Sequence, residues 1–204
     1  MFTDTSESSA RHADETEFFV IFHLKIRQTN PVKSYIETER LILRDILLTD
    51  EQAVFELDSD PEVHRYLGNN PIEDIEEARS SIQSITEQYV ANGIGRWAVI
   101  EKDSGCFVGW AGLKLITEPI NNHHNYYDLG YRFIKRYWGK GYATEAAKAS
   151  LDYGFTKMEL EEIYGMALTE NKASKHVLQK VGLTYIETFN HAAGPTDLYK
   201  IIKK

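Results

Sequence analysis

Short segments in which apolar and polar positions alternate are bracketed along this chain by turn-forming residues, a pattern typical of β-strands. Residues 35–44 alternate loosely and predict a first strand. Residues 96–100 and 106–113 flank the turn sequence Lys102-Asp103-Ser104-Gly105 and predict a hairpin. Further strands are predicted at 126–134, 163–168, 183–189 and 198–202, about seven strands in all.

Between these strands, apolar residues recur at spacings of three and four, which predicts about four helices. Asp50 can cap a helix through residues 53–57, and Pro61 opens a further helical turn. A longer helix begins at Asp74, and two more are predicted at 144–157 and 171–180. Strands before, between and after the helices favour the α/β class, with one mixed sheet covered by helices.

The first 34 residues stand apart from this pattern. Residues 1–14 are polar and rich in Ser, Thr and acidic residues, which is typical of a disordered segment. Residues 18–26 are apolar enough for a short strand, and a polar link follows at 28–34. We therefore divide the chain into a partly disordered N-terminal extension, 1–34, and one domain, 35–204.

Composition narrows the classes of protein to which the chain can belong. Its 204 residues fit one domain with a tail, and no apolar run approaches the roughly 20 residues that a membrane-spanning helix needs. A formal charge of −8 opposes binding to nucleic acid and is compatible with a basic or amine-bearing partner. The single cysteine, Cys106, and the lack of a secretion signal favour a cytoplasmic location.

A strand, a glycine-containing turn and a helix follow one another in residues 131–146. Glycines at 139 and 141 allow successive backbone N–H groups to face one anion, and the positive end of the following helix points to the same place. A pyrophosphate fits such a turn. The alternative is that Gly139 and Gly141 only make a tight connection, which is the more common explanation of an isolated Gly-x-Gly.

With its flanking residues, the segment resembles motif A of the Gcn5-related N-acetyltransferase (GNAT) superfamily. The run Trp138-Gly-Lys-Gly-Tyr-Ala-Thr-Glu-Ala146 looks like the branch of the RimJ and RimL ribosomal-protein N-terminal acetyltransferases. Residues 36–44 are similar to the first strand of that branch, and Asn171-Lys-Ala-Ser174 with Lys180-Val-Gly-Leu183 resembles its motif B. The resemblance covers roughly residues 36–204.

The resemblance implies the GNAT fold, a sheet that splays between its fourth and fifth strands to admit acetyl-CoA as cosubstrate. In that family, the backbone of the fourth strand pairs with the pantetheine arm, and a motif-B Asn contacts a pantetheine amide. The residues implied for cofactor binding are Tyr131, Arg132, Phe133, Gly139, Lys140, Gly141, Tyr142, Ala143, Thr144, Asn171 and Ser174. A backbone N–H of Phe133 or Arg132 is expected to hold the thioester oxygen.

The implied reaction is direct attack of an amine on the thioester, with no covalent enzyme intermediate. Cys106 is then expected to be a small buried residue rather than a nucleophile. Several superfamily members use a tyrosine acid at the position of Leu178, and some use a carboxylate base at the position of Met166. Since neither residue can serve, Ser174 is the candidate acid and Glu187 the candidate base.

Each catalytic candidate has an alternative. Ser174 can instead contact phosphate or solvent, Glu187 can be a solvated strand residue, and water can carry the proton. Asp197 and His191 lie near Glu187 on the C-terminal turn. Aromatic residues that could line an acceptor pocket, or belong to the core, are Trp97, Trp110, Tyr126 and Tyr127.

His123 and His124 lie together in a polar loop and lack the further ligands that a metal site needs, so we expect a substrate-side loop and no metal. The expected function is transfer of an acetyl group from acetyl-CoA to a primary amine, either a protein N-terminus or a small molecule. The alternative is a catalytically weak acyl-CoA-binding or regulatory module. Either a monomer or a homodimer is compatible with the sequence.

Overall fold

The computed structural model describes residues 34–204. The expected disorder of 1–14 and the strand at 18–26 lie outside the described residues. The strands are β1 (Ser34–Glu37), β2 (Leu41–Arg44), β3 (Arg96–Glu101), β4 (Phe107–Ile116), β5 (Tyr126–Phe133), β6 (Glu162–Leu168), β7 (Thr184–His191) and β8 (Gly194–Ile202). The helices are α1 (Glu51–Ser59), α2 (Pro61–His64), α3 (Ile75–Asn92), α4 (Tyr142–Thr156) and α5 (Lys172–Lys180).

The strands form one eight-stranded sheet in the order β1-β2-β3-β4-β5-β6-β8-β7. Every neighbouring pair is antiparallel except β5 and β6, which are parallel. The expected fold class, a mixed and mostly antiparallel single sheet with helices, is confirmed. Within residues 34–204 the counts are eight strands and five helices, one more of each than we expected.

The extra strand comes from the first predicted segment. The prediction of a single strand at 35–44 was wrong, because the segment forms two strands, β1 and β2. The chain turns back on itself at Thr38, whose N–H donates to Leu41 O at 2.9 Å, so that β1 pairs with β2. The Thr38 hydroxyl accepts the Leu41 N–H at 2.9 Å and donates to Glu145 on α4 at 2.6 Å. A tertiary contact, more than a hundred residues away in sequence, therefore stabilises the turn.

Strand alternation distributes the apolar side chains over two faces of the sheet. Leu41, Leu43, Trp97 and Val99 belong to the core on the side of α4 and α5, which we call the α4/α5 face. The residues between them on β3, Ala98 and Ile100, pack with α1, α2 and α3 on the opposite, α1–α3 face. Each face of the sheet thus has its own core.

The longest helix, α3, has the termini that the sequence predicts. The Asp74 side chain accepts the N–H of Glu76, and Glu77 completes the capping box by accepting the N–H of Asp74. At the other end Gly93 has φ of 68°, in the left-handed region that a non-glycine residue adopts at a cost. None of the helices in residues 34–204 is both long and apolar enough to cross a membrane.

Candidate active site

A gap opens in the sheet between β5 and β6. These two strands share a single register pair, Asp128 with Tyr164, whereas β5 pairs with β4 along eight positions and β6 with β8 along seven. Because the strands are parallel and joined only near their N-terminal ends, they diverge toward Phe133 and Leu168. The splay implied by the family resemblance is therefore present, and its wide end faces the Gly139 turn.

Hydrogen-bond alternation shows which backbone groups of β5 face the gap. Ile134 N–H donates to Val108 O at 3.0 Å, and in an antiparallel ladder every second residue pairs in this way. The N–H of Arg132 is thereby directed to β4, whereas those of Tyr131 and Phe133 are directed away from it, toward the gap. Of the two residues expected to hold a thioester oxygen, Phe133 alone has a suitably directed N–H.

The turn at the wide end of the gap has a backbone geometry suited to an anion. Gly139 and Gly141 have φ of 75° and 83°. Across the described residues, no acceptor receives the N–H groups from Gly139 to Thr144, and α4 begins without a side-chain cap. Unpaired N–H groups and the positive end of a 15-residue helix converge here, which fits the pyrophosphate of a nucleotide-containing cofactor.

Arg40 braces this turn from the β1–β2 connection. Its Nη1 donates to Lys140 O at 2.9 Å, and its Nε donates to Glu145 Oε2 at 2.7 Å. Although burial acts to raise the pKa of Glu145, the bonds from Thr38 and Arg40 outweigh it and hold that pKa below its ordinary value. The sequence offered no local signal for this brace, because Arg40 and Lys140 are 100 residues apart.

Replacing Arg40 with Met should weaken CoA binding about tenfold, or ~1.4 kcal/mol, because the Lys140 carbonyl and the first turn of α4 lose their support. Titration calorimetry with CoA measures the change. Arg79→Met is the matched control, since Arg79 also pairs with carboxylates, Glu51 and Glu76, but on α3. Equal CoA affinities for the two variants would show that Arg40 does not support the turn.

Three side chains at the turn, those of Trp138, Lys140 and Tyr142, have partners other than its N–H groups. The Lys140 ammonium lies 4.8 Å from the ring centroid of Tyr137, and the Tyr142 hydroxyl donates to Glu101. Trp138 Nε1 donates to Phe133 O at 2.7 Å, which ties the turn to the end of β5. The groups of the turn that remain for an anion therefore include its backbone N–H groups.

Ser174 meets Tyr131 on the α4/α5 face, and Asn171 caps the helix that carries Ser174. The Tyr131 hydroxyl donates to Ser174 O at 2.9 Å and lies 3.1 Å from Ser174 Oγ. Asn171 Oδ1 accepts the Ser174 N–H at 3.0 Å and so caps α5. Burial raises the pKa of Tyr131 well above its ordinary value, so its hydroxyl is protonated. Hydroxyl groups therefore line this side of the gap.

The α1–α3 face of the gap has a different chemistry. Arg132 extends there, with its guanidinium 5.0 Å from the ring centroid of Trp110 and its Nη1 2.5 Å from Asp58. His64 packs beside Asp58, and burial with the nearby Arg132 lowers the pKa of His64. Charged and aromatic side chains therefore occupy this face.

Glu187, the candidate base, does not stand alone. Its Oε1 lies 2.7 Å from His123 Nε2 in the loop between β4 and β5. The sequence interpretation placed His123 in a substrate-side loop without a partner, and the structure supplies Glu187 as that partner. Asp197 and Lys175 form an ion pair at 2.6 Å, and His191 lies on β7 against Phe189.

Three expectations about single residues can be judged directly. Leu178 is buried and packs against Gly165. The Met166 sulfur accepts a weak hydrogen bond from the Tyr126 hydroxyl at 3.9 Å. Neither side chain has a group that can act as an acid or a base. Cys106 was expected to be buried, and this was wrong. It is exposed because it follows the β3–β4 turn, one residue before the strand begins.

Two of the aromatic residues weighed as pocket residues belong to the interior. Trp97 is fully buried and stacks on Tyr35 at 5.2 Å, so it is a core residue. Tyr126 is buried against Tyr164 at 4.8 Å. Among residues 34–204 there is no cluster of three or more His, Cys, Asp or Glu side chains arranged to hold a metal ion.

Sequence comparisons identify the family. The model of the "Acetyltransferase (GNAT) domain" family matches residues 40–184. The Bacillus subtilis (strain 168) protein named "Uncharacterized N-acetyltransferase YoaA" is 32% identical over 174 residues, covering 82% of this chain and 96% of the relative. The Spermidine N(1)-acetyltransferase of Escherichia coli (strain K12) is 31% identical over 142 residues, covering 70% and 72%.

Solved structures have the same fold. The GNAT-family acetyltransferase from Bacillus anthracis is similar with a TM-score of 0.67 and 28% identity, over 84% of this chain and 97% of that one. Mycobacterium smegmatis RimJ, solved with a CoA disulfide, is similar with a TM-score of 0.65 and 20% identity, over 79% and 81%. This chain belongs to the GNAT acetyltransferase family and is an acyl-CoA-dependent N-acyltransferase.

Proposed function

We propose that this protein transfers the acetyl group of acetyl-CoA to a primary amine by direct attack within a ternary complex. One observation carries the proposal: the N–H groups from Gly139 to Thr144, which have no acceptor among residues 34–204, lie at the wide end of the gap between β5 and β6. Acetyl-CoA supplies an activated thioester when bound. The protein has to hold it, orient the amine and move protons.

The cofactor residues have separate tasks in this proposal. The N–H groups of Gly139, Lys140, Gly141, Tyr142, Ala143 and Thr144 hold the pyrophosphate. Tyr131 and Phe133 pair with the pantetheine arm through backbone groups, and the Phe133 N–H holds the thioester oxygen. Asn171 Oδ1 is committed to capping α5, which leaves its side-chain NH₂ for a pantetheine carbonyl. Arg132 contributes to the site through its side chain, which lies beside Trp110 and Asp58 on the α1–α3 face.

The acceptor enters from the α1–α3 face, because the apolar cluster of Tyr126, Tyr164 and Leu198 on that face contains strand residues only, whereas α4 and α5 cover the opposite face. The formal charge of −8 attracts a cationic amine over a distance. The likeness to a spermidine acetyltransferase supports a small-molecule amine, and the resemblance of residues 138–146 to the RimJ and RimL branch supports a protein N-terminus. We propose a cytoplasmic enzyme that acts as a monomer or homodimer.

Ser174 protonates the departing thiolate in this account, because its hydroxyl lies on the α4/α5 side of the gap within 3.1 Å of the Tyr131 hydroxyl. Ser174→Ala should lower kcat about 100-fold and leave the KM for acetyl-CoA within about twofold, since general acids contribute to the chemical step. Steady-state kinetics with release of free thiol measure both constants. Ser174→Thr retains a hydroxyl and should keep most of the activity. Normal turnover in Ser174→Ala would remove Ser174 as the acid.

The proposal as a whole is tested by incubating the protein with acetyl-CoA and a panel of primary amines that includes polyamines and peptides with free N-termini. The expected result is amine-dependent release of free thiol, with an acetylated product of matching mass. Binding of acetyl-CoA without transfer to any amine would favour the alternative, an acyl-CoA-binding module. That alternative was suggested by Leu178 and Met166, which offer neither acid nor base.

A further inference from the structure

His123 and Glu187 are 64 residues apart in sequence and form a close pair across the α1–α3 face. His123 Nε2 lies 2.7 Å from Glu187 Oε1. Their side chains remain 29% and 37% exposed, so the pair is held in place and can still be reached by a substrate. A pair with these two properties is suited to exchange a proton with a bound molecule.

The loop that carries His123 is fixed by its own backbone. Ile120 and His123 exchange two N–H···O bonds of 2.8 and 2.9 Å, and the two residues between them, Asn121 and Asn122, have φ of 46° and 68°. Two left-handed residues of this kind make a type I′ turn, for which Asn is well suited. The His123 ring also lies 5.6 Å from that of Tyr164. His123 is therefore positioned before any acceptor binds.

The contact with Glu187 determines which ring nitrogen can accept a proton. A carboxylate only accepts hydrogen bonds, so His123 Nε2 carries the hydrogen and donates it. In the neutral imidazole the lone pair is then on Nδ1. Nδ1 of His123 has no hydrogen-bond partner among residues 34–204. A directed, unoccupied lone pair is what a general base requires.

Sheet register places the pair on the side from which the acceptor enters. Tyr164 is opposite Asp128 on β5, and two residues later Met166 is opposite Leu198, which is opposite Glu187. Residues that face each other across neighbouring strands share a face of the sheet. Glu187 and His123 thus lie on the α1–α3 face beside the gap, across the sheet from Ser174.

We propose that His123 is the general base that takes a proton through water from the acceptor ammonium at Nδ1, and that Glu187 is a positioning residue that fixes its tautomer. Water completes the path because the pair lies level with Tyr164 and Met166, short of the Phe133 N–H. The inference rests on the proposed acetyl transfer. The amine freed by this step forms the N–C bond as the C–S bond breaks, with the electron pair leaving on sulfur. Ser174 protonates the thiolate and takes the second amine proton in return, giving an amide and a free thiol, and the imidazolium returns its proton to water.

His123→Gln should lower kcat/KM about 100-fold at neutral pH and leave CoA affinity unchanged, because general-base catalysis is typically worth two to four powers of ten. The acidic limb of the profile of kcat/KM against pH should disappear in this variant. Glu187→Gln still accepts from Nε2 and should cost less, about tenfold. His124→Gln is the matched control, since His124 is the exposed neighbour in the same loop, and it should behave like the wild type.

The pH profile can be assigned because the surroundings of His123 are simple. The groups that face it are Glu187 from β7, Tyr126 from β5 and Tyr164 from β6, with Lys200 beyond the Tyr164 ring at 5.5 Å. Burial raises the pKa of Tyr126 to about 12 and also raises the pKa of Tyr164. The hydrogen bond that Lys200 donates to Glu162 raises the pKa of Lys200. None of these three changes charge between about pH 6 and 9.

A rescue experiment separates chemistry from loop structure. His123→Ala should be inactive and should regain amine acetylation, measured as acetylated product, when imidazole is added, whereas His124→Ala should not respond. Wild-type turnover with normal turnover in His123→Gln overturns the inference and leaves the proposed function standing. Absence of turnover in the wild type with every amine overturns both.

Discussion

Gly141→Glu is expected to abolish CoA binding, with a loss of affinity of more than about 100-fold. Gly141 has φ of 83° and is the N-cap of α4, so any side chain there is strained. A glutamate also brings a negative charge to the positive end of the helix, where the N–H groups from Gly139 to Thr144 have no other acceptor in the described part of the chain. Titration calorimetry with CoA measures the loss.

Gly93→Glu separates the effect of charge at the turn from the effect of backbone strain. Gly93 has φ of 68° with no atom within 4 Å of an added Cβ, so the same substitution meets similar strain at the end of α3. Both variants should lose about 1–2 kcal/mol of stability. CoA affinity should remain normal only in Gly93→Glu. If Gly141→Glu bound CoA as tightly as that control, the pyrophosphate assignment would be wrong.

Arg96→Met is expected to cause the largest loss of stability, about 3–5 kcal/mol, because it leaves a buried carboxylate without its partner. Arg96 Nη2 lies 2.5 Å from Asp128 Oδ2, and Nη1 donates to Asp128 O at 2.6 Å. Both side chains are about 10% exposed. For a domain of this size the loss corresponds to roughly 10 °C in Tm, measured by thermal unfolding.

Because Arg96 and Asp128 lie at the gap between β5 and β6, Arg96→Met should also disturb the candidate active site. Asp128 is the residue that joins β5 to β6 at the narrow end of the gap, and Gly130 has no room for a Cβ beside the Arg96 guanidinium. Adding Asp128→Asn removes the unpaired charge and should restore part of the stability. A Tm within 2 °C of wild type for Arg96→Met alone would show that the pair does not support the gap.

The same variant has a predicted pH dependence. Burial raises the pKa of Asp128, and Arg96 opposes that effect more than Lys114 does, so removal of Arg96 leaves burial opposed only by Lys114. A carboxyl whose pKa is higher in the folded state binds more protons when folded, and its cost to stability is smallest at low pH. Arg96→Met should therefore be closer to wild-type stability near pH 5 than near pH 8.

The features that could be predicted from the sequence depend on neighbouring residues. The helix start at Asp74 and the glycine turn at 139–141 each depend on a few consecutive residues, and so they were visible in the chain. The pairing of β1 with β2 was missed because Glu145, which stabilises the Thr38 turn, is distant in sequence. Local alternation carries no information about such a contact.

The same limit applies to the candidate site. The resemblance provides the cofactor residues, whereas His123 with Glu187, and Arg40 with Lys140, become pairs only when the sheet is assembled. No spacing rule joins residues that are 64 and 100 positions apart. These two pairings are therefore visible only in the structure.

Thermal unfolding of the full chain with and without CoA tests most directly whether the Gly139–Thr144 turn binds the cofactor. A ligand that binds only the folded state at about 100 times its Kd adds ~2.7 kcal/mol, or roughly 5–10 °C in Tm. We expect a saturable rise in Tm of this size for the wild type and for Gly93→Glu, and none for Gly141→Glu. An unchanged Tm for the wild type at millimolar CoA would contradict this expectation.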